Sequence, residues 1–398
     1  MGLFVRKGKA KAPTTLFDCY EVSDKIGEGQ YAEVFSAKVS EASCPAPAPA
    51  PWAAGGAPSF GCAHSRAGGE VSLTVSSRWS PFRAPDGKAR CVPWNVAVKS
   101  IDKSKVTCSG DLSREIEMMA SLAGHPNIVQ LYEVFDDRRY THLVLELMPG
   151  GNLFDHIVEQ GICSEVESAE ILDSLCSALD HMHQRMIVHR DVKPENLIFA
   201  SPTRSPSSLK LGDFGTAACF GEHTEALQSV TGTPGYVPPE VLAPDGARKQ
   251  TLALDMWAVG VICYVMLCGF PPFYDEDEDV QALFEQIRRC RYDFPSPQFD
   301  NVSQNAISLV KSLLTRDTRR RLSAAQVLAH PWVRNPPKDG VAYEGGRGLS
   351  RGQRRFRKCV LCVMAANRME FLVKQLWRPR VDEGGLLEVH IAAVVSES

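Results

Sequence analysis

Apolar and polar residues alternate along residues 20–39, YEVSDKIGEGQYAEVFSAKV, on either side of a glycine turn. A period of two predicts a strand, a tight turn and a second strand ending near Val39. The alternation resumes at residues 96–101, VAVKSI, and again at 131–135 and 141–147, where the polar DDRR separates two more strands. A longer period takes over elsewhere. Between residues 164 and 184, Ile171, Leu172, Leu175, Ala178, Leu179 and Met182 form the buried stripe of a helix. Another helix is expected to open near Asp111 and Leu112. The longest apolar run, 259–270, is too short for a bilayer span and reads as a buried helix.

Residues 40–93 break both patterns. SCPAPAPAPWAAGGAP leads into a mixed Ser, Arg and Gly stretch with no sustained period, so a disordered insertion is expected between two strands. Closing a longer loop costs only slightly more, so a sheet tolerates it. A regulatory loop and an intron retained in the coding sequence both fit; the lack of any motif and the clean return of strand pattern at Trp94 favour the intron.

A chain of 398 residues, 44% of them hydrophobic, has room for one large two-part domain with appendages. A formal charge of −3 argues against a generally nucleic-acid-binding surface, so any basic patch is local. Thirteen cysteines lie scattered in apolar runs with no secretory leader at the start, and they read as reduced thiols rather than a disulfide framework. Cys359 and Cys362 form a lone CxxC, too little for a zinc site. The opening MGLFVRKGKAK has Arg6 where a myristoylation signal needs Ser or Thr, so residues 1–16 read as a solvated basic tail. Residues 354–377, RRFRKCVLCVMAANRMEFLVKQLW, set basic residues ahead of an apolar helical run, the composition of a calmodulin-target or membrane-surface helix.

The candidate chemistry is densest in IVHRDVKPENLIF, residues 187–199. One loop there supplies an Asp, a Lys two residues later and an Asn three beyond it: a base for a hydroxyl, a cation for a transferring phosphoryl group and a metal ligand. Partner motifs occur in order. Upstream lie IGEGQYAEV (26–34), VAVK ending at Lys99 and REIEMM from Arg114; downstream lie GDFG (212–215), GTPGYVPPE (232–240) and DMWAVG (255–260). Over residues 17–332 this series resembles the eukaryotic protein kinase family.

The resemblance implies an α+β, bilobal protein kinase fold. A small antiparallel β-sheet lobe with one main helix would occupy residues 17–147, a larger, mostly helical lobe 148–334, and a tail 335–398. It also implies a Ser/Thr protein kinase that uses ATP and Mg2+. Asp191 would accept the substrate hydroxyl proton and Lys193 would neutralise the transferring phosphoryl group, while Asn196 and Asp213 would hold magnesium. Gly27, Glu28 and Gly29, flanked by Ile26 and Val34, would cover the nucleotide; Ala32 replaces the third glycine of the pattern. Lys99 would bind the α and β phosphates, held by Glu115 in preference to Glu117. Ala97, Leu145 and Leu197 would line the nucleotide pocket, with Glu146 and Leu147 as the hinge.

Further roles follow from the same resemblance. His189 would be structural, Glu240 would pair with Arg321, Asp255 would hydrogen-bond the catalytic loop's backbone, Thr233 would line the site, and Ser229 lies where relatives are phosphorylated. Asn152 stands where many arginine-directed relatives carry Glu. The stretch YDFPSPQFDNVSQNAISLVKSLLTRDTRRRLSAAQVLAHPW is similar to the end of kinases in the calcium/calmodulin-dependent group, including plant calcium-dependent and phosphoenolpyruvate carboxylase kinases. The acid run at 275–279 lacks EF-hand spacing. The expected partners are protein substrates bearing Ser or Thr, and calmodulin through residues 354–377, in the cytoplasm with a basic cluster suited to nuclear import. The rival is a pseudokinase scaffold disabled by the insertion; intact Lys99, Asp191, Asn196 and Asp213 argue against it.

Overall fold

The structure is a computed structural model that describes residues 15–28, 32–40, 95–105, 109–219, 234–242, 251–275 and 279–337. By its contacts the chain forms two compact units. The first takes in the described residues up to His156, with Asp173–His189 and Pro194–Cys219. The second takes in Ile157–Leu172, Arg190–Lys193 and the described residues beyond Phe220.

The first unit is built on a five-stranded antiparallel sheet of β1 (Tyr20–Glu28), β2 (Ala32–Val39), β3 (Asn95–Asp102), β4 (Leu131–Asp136) and β5 (Tyr140–Glu146), in the order β1-β2-β3-β5-β4. The pairing of β2 with β3 runs without a break from Ala32 opposite Ile101 to Lys38 opposite Asn95. The long segment between these strands therefore leaves their register intact. The period-two pattern of β3 sorts its residues by face: Val96 and Val98 join Ala37, Phe135 and Val144 in a buried cluster, while Ala97 and Lys99 point the other way. A short helix that the alternation did not foretell, α1 (Leu16–Cys19), adds Leu16 and Cys19 to that cluster.

α2 (Ser109–Ser121) opens two residues earlier than the sequence suggested, and Glu115, Met118 and Met119 form its buried stripe. The loop after it is laced by Gln130, whose side-chain amide donates to Ile128 O at 2.6 Å and His125 O at 3.1 Å and accepts from Gly124 N. Two small ribbons complete the unit. β6 (Ile187–Val188) pairs with β9 (Ala218–Cys219), and β7 (Leu197–Phe199) with β8 (Leu209–Leu211). α3 (Leu153–Gln160) starts where the Asn152 side chain accepts from Asp155 N at 2.8 Å, an N-cap bond. α4 (Glu165–His183) starts likewise at Ser164 and carries the apolar stripe read from the sequence.

In the second unit the apolar run is α5 (Ala253–Cys268), buried from Leu254 onward. Gly269, at φ 82°, ends it with its N–H on Val265 O. α6 (Val280–Arg288) is capped by Asp279, whose side chain accepts from Gln281 N at 2.8 Å. α7 (Gln304–Leu313), α8 (Ala324–Leu328) and α9 (Pro331–Arg334) complete it. Buried Glu165 fastens the ends together, accepting from Ser303 N and Oγ and from Trp332 Nε1. The seven described cysteines are free thiols, and no helix among the described residues is long and apolar enough to cross a membrane.

Candidate active site

Strand register brings residues expected on the nucleotide side onto one face of the sheet. Val34 lies opposite both Gly27 and Lys99, Lys99 lies opposite Leu143, and Ala97 lies opposite Leu145. Cross-strand partners share a face, so Gly27, Val34, Ala97, Lys99 and Leu145 form one surface. Ile26 beside it is 51% exposed.

On that surface lies a cluster of three charges. Lys99 Nζ reaches Glu115 Oε1 at 2.8 Å and Asp213 Oδ1 at 3.1 Å. The buried carboxylate of α2 is Glu115, while Glu117 points to solvent. Burial alone would push the Lys99 ammonium down, but the facing carboxylates of Asp213 and Glu115 hold its pKa well above the usual lysine value. The side chain is a fixed cation. Asp213 contrasts with Glu115, because it sits at φ 59° with more than half of its side chain exposed. A left-handed backbone at a non-glycine residue marks a position held for a purpose other than comfort.

The β7–β8 ribbon explains why Asn196 and Asp213 come together. Asn196 immediately precedes β7, Asp213 follows β8 by two residues, and Gly212 N donates to Asn196 O at 2.9 Å. An amide oxygen and an exposed carboxylate are hard donors, the set that fits Mg2+ with phosphate and water as the remaining ligands. Leu197 is fully buried in β7. His189 is buried as well; its Nε2 bonds Gly212 O at 3.1 Å, its ring meets Phe214 edge-on, and its carbonyl accepts from Thr216 Oγ1. These bonds tie the Asp213 turn to the strand that leads into the catalytic loop.

The hinge residues behave less uniformly. β5 ends at Glu146, leaving Leu147 half-buried just outside the strand. Glu146 N donates to Gln130 O at 2.9 Å, and its carboxylate pairs with Lys210 of β8 at 3.1 Å and accepts from Gln130 N. Sequence reasoning missed Lys210 and Gln130. The available signal was a lysine flanked by two buried leucines in a three-residue strand, which must project away from their side.

In the second unit Asp191 and Lys193 form an ion pair of 2.9 Å, each with only about a tenth of its side chain exposed. Their loop is shaped from behind. Arg190, at φ 70°, donates its backbone N–H to the buried Asp255 of α5 at 2.9 Å. Arg321 is fully buried and grips Glu240 through two bonds of 2.7 and 2.9 Å, also donating to Ala253 O and Thr315 O and stacking over Trp257. Gly29, Thr233, Ser229, residues 41–94 and residues 354–377 lie outside the described residues, as does the side chain of Glu28.

A sequence profile described as protein kinase domain matches residues 90–333. The chain belongs to the protein kinase family. The matched stretch begins just ahead of β3, and β1 and β2, which precede residue 40, complete the kinase's sheet. The kinase is 42% identical over 239 residues to calcium/calmodulin-dependent protein kinase type 1 of Macrobrachium nipponense, covering 60% of this chain and 67% of that one. It is 40% identical over 277 residues to calcium/calmodulin-dependent protein kinase type IV of Rattus norvegicus, covering 69% and 56%. With calcium-dependent protein kinase 19 of Arabidopsis thaliana it shares 41% over 243 residues, 60% of this chain and 43% of that relative. The kinase thus groups with Ser/Thr kinases of the calcium/calmodulin-dependent group, and it spans about two thirds of the first of these relatives and less of the others.

Proposed function

We propose that the kinase transfers the γ-phosphoryl group of Mg-ATP to serine and threonine hydroxyls of protein substrates. The observation that carries this reading is the Lys99 cluster: a largely buried cation, about a fifth of its side chain exposed, clamped between a helix carboxylate and an exposed aspartate. Lys99 is the group for the α and β phosphates, and Glu115 keeps its ammonium aimed along the sheet face. Asp213 and Asn196 would hold the magnesium, which when bound neutralises phosphate charge. The apolar surface of Ile26, Val34, Ala97 and Leu145, with Leu197, is suited to a flat base, and the Glu146–Leu147 backbone to its edge. Asp191 takes up the hydroxyl proton, with the carboxylate oriented by Lys193, and Lys193 counters charge on the transferring group.

Transfer of radiolabelled phosphate from Mg-ATP to a mixed Ser/Thr peptide library tests the reading. It would use the full chain, a chain lacking residues 40–93, and Asp191→Ala versions of both. Label from the full chain that disappears with Asp191→Ala supports the kinase. Folded, nucleotide-binding chains that transfer nothing in either form sink it in favour of a scaffold.

Calmodulin is the proposed regulator, on the strength of two relatives named for it and the basic, then apolar, composition of residues 354–377. Calcium-dependent binding of calmodulin to the full chain, reversed by a chelator, is the expected result; no binding at saturating calcium refutes it. The cytoplasm is the proposed compartment, since seven free thiols suit a reducing environment.

A further inference from the structure

The β7–β8 ribbon has two ends. Its open end carries Asn196 and Asp213, while its closed end is the turn SPTRSPSS, residues 201–208. That turn is attached to the segment following β5. Arg204 Nε donates to Gly150 O at 2.8 Å, Gly150 N donates to Phe199 O at 3.0 Å, and Phe199 N donates to Gly151 O at 2.8 Å. The attachment is tight: a side chain at Gly150 would run into Ser201 O and Phe199, and Gly151 sits at φ 74°. Arg204, itself at φ 52°, joins this lacing from the turn through its side chain.

The turn holds two Ser-Pro dipeptides, Ser201-Pro202 and Ser205-Pro206. They are not equivalent. Ser201 is half-buried, its Oγ meets Thr203 Oγ1 at 2.8 Å and accepts from Thr203 N, and its carbonyl accepts from Arg204 N. Ser205 is exposed; at φ −59° and ψ 130° it caps a 3-10 turn over Pro206–Ser208, its carbonyl accepts from Ser208 N and Oγ, and its Oγ meets the exposed Ser207 hydroxyl at 3.0 Å. An exposed serine hydroxyl followed directly by proline is the feature that a proline-directed protein kinase reads.

We propose that Ser205 is a phosphorylation site for a proline-directed protein kinase, and that its phosphate acts on the nucleotide side of this chain through Arg204. In the reaction Ser205 Oγ attacks the γ-phosphorus of ATP held by the modifying enzyme. An O–P bond forms, the bond to the β-phosphate oxygen breaks, ADP leaves with the electron pair, and the hydroxyl proton passes to that enzyme's base. The product places about two negative charges beside Arg204. A guanidinium prefers a phosphate to a neutral carbonyl, so Arg204 turns from Gly150 O to its chain neighbour. The segment after β5 then loses the Arg204 bond to Gly150 O, and nucleotide binding weakens; this second step rests on the nucleotide site proposed above.

The test has two arms. The full chain carrying Asp191→Ala, so that label comes only from the added enzyme, is incubated with a proline-directed kinase and Mg-ATP and mapped by mass spectrometry. One phosphate on Ser205, absent in Ser205→Ala, is expected. Calorimetric titration of the otherwise unaltered chain with a non-hydrolysable ATP analogue should then show affinity about five-fold weaker after modification, the scale of one lost hydrogen bond. Unmodified Arg204→Gln should match that loss, Ser205→Ala should not, and thermal unfolding checks that both fold. Absence of phosphate from Ser205, phosphate on Ser201 or Thr203 in its place, or unchanged affinity in the phosphorylated chain overturns the proposal. An unmodified chain that binds no nucleotide overturns the proposed function alone, and the mapping still decides Ser205.

Discussion

Lys99 keeps its charge in surroundings that would otherwise discourage it, because two carboxylates stand within 3.1 Å. Replacing it with an isosteric apolar chain takes the cation away from buried Glu115 and removes the group proposed to hold the phosphates. Lys99→Met is therefore expected to lower kcat at least about a hundredfold, the scale of deleting one preorganised electrostatic group. Steady-state kinetics alongside circular dichroism would separate that loss from unfolding. Arg321 poses the opposite case, a buried cation with no part in chemistry. Arg321→Met strands the Glu240 carboxylate and should cost about 3–5 kcal/mol in urea denaturation. The double change Arg321→Met with Glu240→Leu should recover much of it. A double variant as unstable as the single one would show that the guanidinium matters for its backbone bonds and its stacking on Trp257.

At the scale of elements, small residues and caps decide where chain segments start and how closely they approach. Asn152, at a position associated with substrate preference in relatives, is also the N-cap of α3. Asn152→Ala should destabilise the kinase by about 1 kcal/mol. A peptide-array profile on the same variant would reveal any separate effect on substrate choice. Gly260 serves α5 differently. A Cβ there would approach Leu313 Cβ to 2.8 Å and Leu314 Cδ2 to 2.9 Å, so α5 and α7 meet at their present spacing only because the side chain is missing. Gly260→Ala should cost about 1–3 kcal/mol through overpacking, read as a lowered thermal midpoint. A neutral outcome would mean that α7 shifts freely.

At the scale of the whole molecule, acid should loosen the structure from a particular place. The His125 and His181 rings lie 4.6 Å apart, and His125 Nε2 also meets Ser177 Oγ at 3.3 Å. Burial first, then the positive neighbours His181, Lys210 and Arg185, bring the His125 pKa down to about 4, and burial with Arg185 lowers His181, against the pull of Asp180. Unfolded histidine titrates near pH 6.5, so the unfolded chain binds more protons between those values. This contribution to stability is thus fully present above about pH 6.5 and is lost as pH falls toward about 4. Urea midpoints for wild type and His125→Asn at pH 7 and pH 5 check it. The drop on acidification should be smaller in the variant, and an equal drop would assign acid sensitivity elsewhere.

Periodicity and motif spacing sufficed for much of this kinase, because local rules govern them. Alternation located the strands, a three-to-four spacing located α4, an unbroken apolar run located α5, and the register of the kinase motifs preferred Glu115 to Glu117. Glu240 with Arg321 and Asp255 with the catalytic-loop backbone were likewise legible once the motifs stood in order. What stayed hidden depends on distant segments meeting. α1 is only four residues long, too short for any period, and exists because Leu16 and Cys19 find the sheet's cluster. The Glu146–Lys210 pair and the Arg204–Gly150 bond join positions far apart in the chain through side chains that a sequence reader assigns to solvent. Motifs name the residues that do chemistry because their spacing is local. Only the tertiary structure decides which charges and hydroxyls outside the motifs reach them, because that depends on where the strands and turns bring side chains from distant parts of the chain.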